Sequence, residues 1–223
     1  MSSSHRSQRF LPAYRQLIGE ADRWFAEALA VHRSDGVHCD RGCSLCCLGL
    51  FDVSAADSLL IAEGYRHADQ ARRKELRDSA RACLDALGRI APDWQDPWSV
   101  DALGEDRFDE ICEAVSSAPC AALAQDGSCR IYDHRPLICR LHGLPMYDPA
   151  ESRDCGGACE LNFSPEDLDA KPALHFDHSD FVRRETELID AIEAQTDRAS
   201  RGTTIVAAVI WRAAVEEETK HER

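Results

Sequence analysis

The sequence predicts a mostly α fold, a helical scaffold holding two irregular cysteine-rich loops. Three observations carry that expectation. Apolar residues recur at steps of three and four over several long stretches, the period of an amphipathic helix. The periodicity vanishes from about 116 to 165, where Gly, Pro, Asp and Cys take over. Of 11 cysteines, four fall in Cys39–Cys47 and five between Cys120 and Cys159, leaving only Cys83 and Cys112 apart.

In chain order, residues 1–8 are polar and Ser-rich and are expected to be disordered. Residues 9–220 are expected to form a single helical domain, with its cysteine-rich loops at 37–50 and 117–160. From Phe10 to about His32 the residues Tyr14, Leu17, Ile18, Ala21, Phe25 and Leu29 share one stripe, which predicts a helix ended by Ser34-Asp35-Gly36. Ser54 and Asp57, ahead of Leu59, Leu60 and Ile61, read as a capping box with Asp in place of Glu, opening a helix that stops near Gly64. Leu76, Ala80, Cys83, Leu84 and Leu87 predict a further helix over 66–90, ended by Gly88. The stretch from Pro92 to Gly104 reads as a loop that tucks its tryptophans onto the body, and Phe108 to Val115 as a short helix. CRIY and LICRL are candidates for short strands or turns. Ser164-Pro165-Glu166-Asp167 is a helix start, with Pro at the first helical position and acids in the first turn. Helices over 179–197 and about 203–218, split by Arg201-Gly202, close the chain.

Composition narrows the function. A chain of 223 residues with 44% hydrophobic content can bury a core without disulfide staples. Its 26 Lys+Arg against 40 Asp+Glu give a net charge of −14, which disfavours nucleic acid and anionic membrane surfaces as partners. The N-terminus has no apolar signal core, and the most apolar run, Ile205–Trp211, is far too short to span a bilayer. These features predict a cytoplasmic chain with reduced thiols. Clustered cysteines in that setting point to metal binding or thiol chemistry.

The first cysteine group, Cys39, Cys43, Cys46 and Cys47, has the spacing C-x3-C-x2-C-C, short enough for thiolates to converge where the chain turns back. Gly42 offers a positive φ for that turn. The second runs Cys120, Cys129, Cys139, then Cys155 and Cys159, with Asp126-Gly127 making a tight turn and Pro136 forcing an extended residue before it. Neither has the paired layout of a zinc ribbon, so the natural reading is one thiolate-rich site assembled from both groups. Thiolates suit zinc and iron–sulfur clusters alike. Four of them around Zn²⁺ or a 4Fe–4S core leave a net charge of about −2, and Arg41, Arg130, Arg135 and Arg140 stand beside the cysteines to offset it. Adjacent Cys46 and Cys47 cannot easily face one ion; either one is spare or the two serve different metals.

CDRGCSLCC followed by APCAALAQDGSCRIYDHRPLICRLHG resembles the YkgJ-type cysteine-cluster family, also called CxxCxxCC proteins. That family is described as zinc- or iron-chelating, and flagellin lysine N-methylases carry a related module. The resemblance rests on residues 39–47 and 120–145 and leaves the flanking helices uncovered. It implies Cys39, Cys43, Cys46, Cys47, Cys120, Cys129 and Cys139 as metal ligands. Cys155 and Cys159 lie where the family varies and complete the candidate set. His142 stands where many members carry an aromatic, and reads as a packed polar residue in preference to a ligand.

Plainer readings hold elsewhere. Cys83 and Cys112 sit on apolar helix faces and read as core thiols. In Tyr132, Asp133, Arg135 and Pro136, Arg135 is expected to hold the loop through hydrogen bonds instead of catalysing. His175 and His178 read as an exposed pair, Glu216 to Glu218 as a solvated helix end, and the Asn162 sequon as incidental. The leading function is thus a metal-binding cysteine-cluster protein, with an iron–sulfur centre (4Fe–4S) favoured over zinc, structural or redox-active, whose redox or substrate partner is unread. The alternatives are a methyltransferase, a radical-SAM enzyme using the C-x3-C-x2-C triplet, and a thiol redox protein using Cys43 and Cys46. No Gly-rich cofactor loop or alternating βα pattern supports the first two.

Overall fold

The computed structural model describes residues 7–32, 39, 42–143, 146–148, 153–154, 159, 161–162, 176–177, 179–195 and 202–221. Helices dominate, as the periodicity predicts. A 3₁₀ turn, Gln8–Phe10, leads into α1 (Leu11–His32). Strand β1 (Asp52–Val53) precedes α2 (Ala55–His67) and α3 (Gln70–Ile90). Two shorter helices follow, α4 (Val100–Leu103) and α5 (Glu105–Ala114), then α6 (Ile138–Leu141). After β2 (Met146–Asp148), β3 (Arg153–Asp154) and β4 (Phe176–Asp177) come α7 (Ser179–Glu193), β5 (Thr204–Ile205) and α8 (Val206–His221). β1 pairs antiparallel with β5, Asp52 opposite Ile205. β2 pairs antiparallel with β3 and parallel with β4.

Helix α2 divides the apolar interior. On one side Ile61 and Tyr65 join Leu76, Ala80, Leu84 and Leu87 of α3 and Ala207, Val209 and Ile210 of α8. On the other, Ala56 and Leu60 join Tyr14, Leu17, Ile18 and Ala21 of α1, with Leu137, Leu141, Phe181 and Ile192. The 116–143 segment contributes to both cores. Ala121, Ala122 and Ile131 enter the first, with Cys120 and Cys129 packed against it; Leu137 and Leu141, on either side of Cys139, enter the second. A segment without periodicity is therefore pinned at both ends by ordinary apolar burial.

Local details confirm some expectations and correct others. Ser54 accepts from Asp57 N and Asp57 accepts from Ser54 N, so the capping box forms. Trp94 and Trp98 are buried and stack edge to face with centroids 5.3 Å apart. Cys83 and Cys112 pack against the first core. Ser7 is buried and Gln8 lies in the 3₁₀ turn, so the last residues of the expected disordered terminus have a fixed place. LICRL is not a strand: Ile138–Leu141 is a single helical turn, and Leu137 and Leu141 seat it on the second core. The expected helix start at Ser164 and the pair His175 and His178 lie outside the described residues. Glu216, Glu217 and Glu218 do not simply face solvent: Arg66 meets Glu216 at 3.5 Å, Arg73 pairs with Glu217, and Arg77 reaches Glu218 at 2.7 Å, tying α8 to α2 and α3.

Both glycines expected to end helices lie inside them, for opposite reasons. A Cβ at Gly64 would stand 2.7 Å from His134 Cβ, so this glycine lets α2 pass the Tyr132–His134 turn. A Cβ at Gly88 would meet nothing within 4 Å. Gly64→Ala is expected to cost about 1–3 kcal/mol through overpacking. Gly88→Ala should stabilise α3 by about 0.5–1 kcal/mol. Urea denaturation of the two variants checks the opposite signs.

Candidate metal centre

The first loop is built from two glycines and a tight turn. Gly42 has φ 98°, the left-handed value expected of it, and Gly49 has φ 95°. Between them Leu45–Cys47 is a 3₁₀ turn closed by Cys47 N donating to Ser44 O at 2.9 Å. Cys46 and Cys47 are consecutive in this turn, close enough for one thiol to hydrogen-bond the other.

Backbone hydrogen bonds join the two loops. Cys120 N donates to Cys47 O at 2.8 Å and Gly49 N to Ala118 O at 2.7 Å, with Leu48 bridging Pro119 between them. The second loop then folds back on itself. Leu123 pairs with Cys129, and Arg130 N donates to Ala122 O at 2.8 Å. At the tip, Gly127 has φ 79°, and Asp126 Oδ1 accepts from Ser128 N at 3.0 Å and from its hydroxyl at 2.6 Å. A Cβ on Gly127 would come within 3.0 Å of Gly42 O, so glycines meet where the loops touch. Cys159 N donates to Gly143 O at 3.4 Å, which anchors this residue beyond α6.

This stitching puts cysteines distant in sequence within each other's field. Burial, followed by the charges of Cys46, Cys43 and Cys159, pushes the Cys39 thiol up. Cys47 feels Cys120, Cys129 and Cys139 in the same sense, yet its thiol sits below the ordinary range because Cys46 S–H donates to it. Cys46 is pushed up by that hydrogen bond and then by burial. Burial raises Cys120 to about 12, and raises Cys129 and Cys139 as well. The thiols thus form two overlapping sets meeting at Cys46 and Cys47. Of the nine predicted site cysteines only Cys155 lies outside the described residues.

The donor chemistry fits a soft cation. Ala122 N donates to Cys120 Sγ at 3.5 Å, and Ile131 N–H donates to the Cys129 sulfur. Such N–H···S bonds stabilise thiolate charge in metal–sulfur centres. Burial holds the protons on Cys120, Cys129 and Cys139 more tightly, and a cation that binds these sulfurs must displace them. Among the described residues, no three His, Cys, Asp or Glu side chains already stand as a ready ligand set.

The arginines divide their work differently from the expectation that all four offset thiolate charge. Arg135 does so for Cys39, Cys46 and Cys129, while its guanidinium stacks 3.8 Å from the Tyr132 ring centroid and its Nε donates to Tyr132 O at 3.1 Å. Arg130 lies near Cys129 but pairs with Glu75 at 2.9 Å and bonds Leu123 O. Arg140 is buried and reaches Asp22 at 2.5 Å, Asp133 O at 2.9 Å and Arg135 O at 3.0 Å. It fastens the loop to α1, so its charge is spent away from the thiols. Arg41 lies outside the described residues. His142, just after α6, is half-buried, and burial pushes its imidazole below the ordinary histidine range.

One supporting group has almost no sequence signal. Asp57 is fully buried, and Tyr14 OH donates to its Oδ1 at 2.6 Å while Leu137 N donates to the same oxygen at 2.8 Å. The capping box marks Asp57 in the sequence, but its grip on a residue 80 positions away, two before Cys139, does not show there. Glu185 of α7 also touches Tyr14, and burial, then the charge of Asp57, lifts its carboxyl to about 7. Between the ordinary glutamate range and about 7 the unfolded chain loses this proton while the folded chain keeps it, so stability declines as pH rises through that window. Glu185→Gln should remove the decline and leave the variant more stable at pH 8 by about 1 kcal/mol, after allowing for solvent screening. Thermal melts at pH 5 and pH 8 check it.

No curated protein and no solved structure matches the chain. Among the described residues, no helix is long and apolar enough to cross a membrane. Residues 38–160, more than half the chain, match the CxxCxxCC family, described as a "putative zinc- or iron-chelating domain". That span begins one residue before Cys39 and ends one after Cys159, enclosing both joined loops, and on this match the chain belongs to the CxxCxxCC family.

Proposed function

We propose that the two loops hold an iron–sulfur centre of the 4Fe–4S type, redox-active or structural, in a cytoplasmic protein that binds neither nucleic acid nor membrane. The observation that carries the reading is the direct backbone bond between Cys47 and Cys120, which supports thiols from both loops acting as one group. The candidate ligands are Cys39, Cys43, Cys46, Cys47, Cys120, Cys129 and Cys139, with Cys155 and Cys159 beside them. A cluster held there supplies one-electron transfer or cross-links the two cores. The protein's own part is to hold the sulfurs, to shield them by burial, to donate N–H groups to them and to place Arg135 near their charge.

Iron–sulfur is preferred to zinc because the C-x3-C-x2-C triplet with remote cysteines departs from zinc-ribbon spacing. Combined iron, sulfide and zinc analysis of anaerobically purified protein, with its visible absorption spectrum, tests the reading. The expected result is iron and acid-labile sulfide in equal amounts with a broad thiolate-to-iron absorption. Zinc without iron would replace the centre by a zinc site, and stably folded metal-free protein would remove the proposal.

A further inference from the structure

A cavity of about 330 Å³ opens beside the cysteine loops, between α3, the 115–123 segment and the start of α8. Its chemistry contrasts with the rest of the chain. Charged residues make up 30% of the sequence, yet none of the described lining residues carries a formal charge. Among the described lining residues, Ser79, Cys83 and Cys120 provide the only side-chain heteroatoms; the rest are aliphatic, aromatic or glycine. Protein interiors hold few voids larger than a water molecule, so an opening of this size is more than a packing gap. Ala82 is exposed and Ala86 half-buried, and these two small side chains on consecutive turns of α3 leave a way in.

Volume and lining together define what fits. An apolar cavity of about 150 Å³ takes up benzene, so one about twice that size suits two fused rings. A lining without charge gives an ionised ligand nothing to offset its desolvation. We propose that this cavity binds a neutral, apolar small molecule of bicyclic-ring size, seated against Cys120. Binding itself goes beyond the metal reading; only the placement of the ligand next to a metal centre rests on it. Cys83 lies in the same wall and reports occupancy.

The full-length chain is titrated with indole by calorimetry, and alkylation of Cys83 by N-ethylmaleimide is followed by peptide mass spectrometry with and without indole. One indole per chain and slower Cys83 alkylation are expected. Ala86→Phe, which fills the cavity, should weaken binding by about tenfold or more with an unchanged helical circular dichroism spectrum. Absence of binding, Cys83 alkylation unaltered at saturating indole, or full affinity in folded Ala86→Phe each overturns the proposal. If Ala86→Phe does not fold, the Cys83 protection of the wild-type chain decides. Metal content measured on the same sample separates the two readings: indole binding without metal defeats only the centre, and metal without indole binding defeats only the cavity.

Discussion

Cys139→Ser protein, purified without oxygen, is expected to retain less than about a tenth of the wild-type metal, since a hydroxyl is a poor substitute for a soft thiolate ligand. Cys43→Ser should behave alike, although its residue lies in the other loop. Cys83→Ser and Cys112→Ser should keep their full complement. Cys83 lies in the cavity wall, and Cys112 donates to Leu50 O at 3.8 Å inside the apolar packing. Metal analysis with circular dichroism on all four variants separates ligation from collapse. Equal metal loss in the four would mean that each destabilises the fold, and full retention in Cys139→Ser would take that residue out of the ligand set.

The second large effect is at Asp57. Its carboxylate gathers Tyr14 OH, Leu137 N and Ser54 N in a fully buried site, and so joins α1, α2 and the approach to Cys139 through one group. Asp57→Ala leaves those donors without an acceptor and is expected to cost about 3–5 kcal/mol, a large share of a typical domain's stability. Tyr14→Phe removes one donor and leaves the carboxylate with three, Leu137 N, Ser54 N and the Ser54 hydroxyl, so about 1 kcal/mol is expected. Equilibrium urea unfolding measures both. The ordering Asp57→Ala far below Tyr14→Phe is the result that identifies Asp57 as the hub; equal losses would place the stability in the tyrosine hydroxyl. Because Leu137 is two residues from Cys139, Asp57→Asn, which keeps the acceptor oxygen, should retain more metal than Asp57→Ala.

Much of the scaffold was legible because burial and periodicity are the same fact seen twice. Tyr14, Leu17, Ile18 and Ala21 repeat along α1 and are the residues it buries. The capping box at Ser54 and the turns at Gly42 and Gly127 were readable because each is a local solution to a local backbone requirement. Where local rules misled, a distant neighbour was responsible. Gly64 resembles a helix stop but is needed small by His134, and Gly88 resembles another but lies where α3 continues on the strength of its buried face. The arginines of the second loop read alike in sequence. Asp22, on α1, captures Arg140 and leaves Arg135 near the thiols.

The sequence by itself determined the cysteine spacing, the helical class and membership of a zinc- or iron-chelating family, since each depends on residues close in the chain or on composition. Only the tertiary structure decided that Cys47 and Cys120 are backbone neighbours, that Asp57 holds the segment before Cys139, and that an uncharged cavity abuts Cys120. Each of these is a long-range pairing fixed by how two apolar cores close around α2. The physical reason is that burial is non-directional: a pattern of apolar residues says what must be covered, and only the completed packing selects which polar groups meet there.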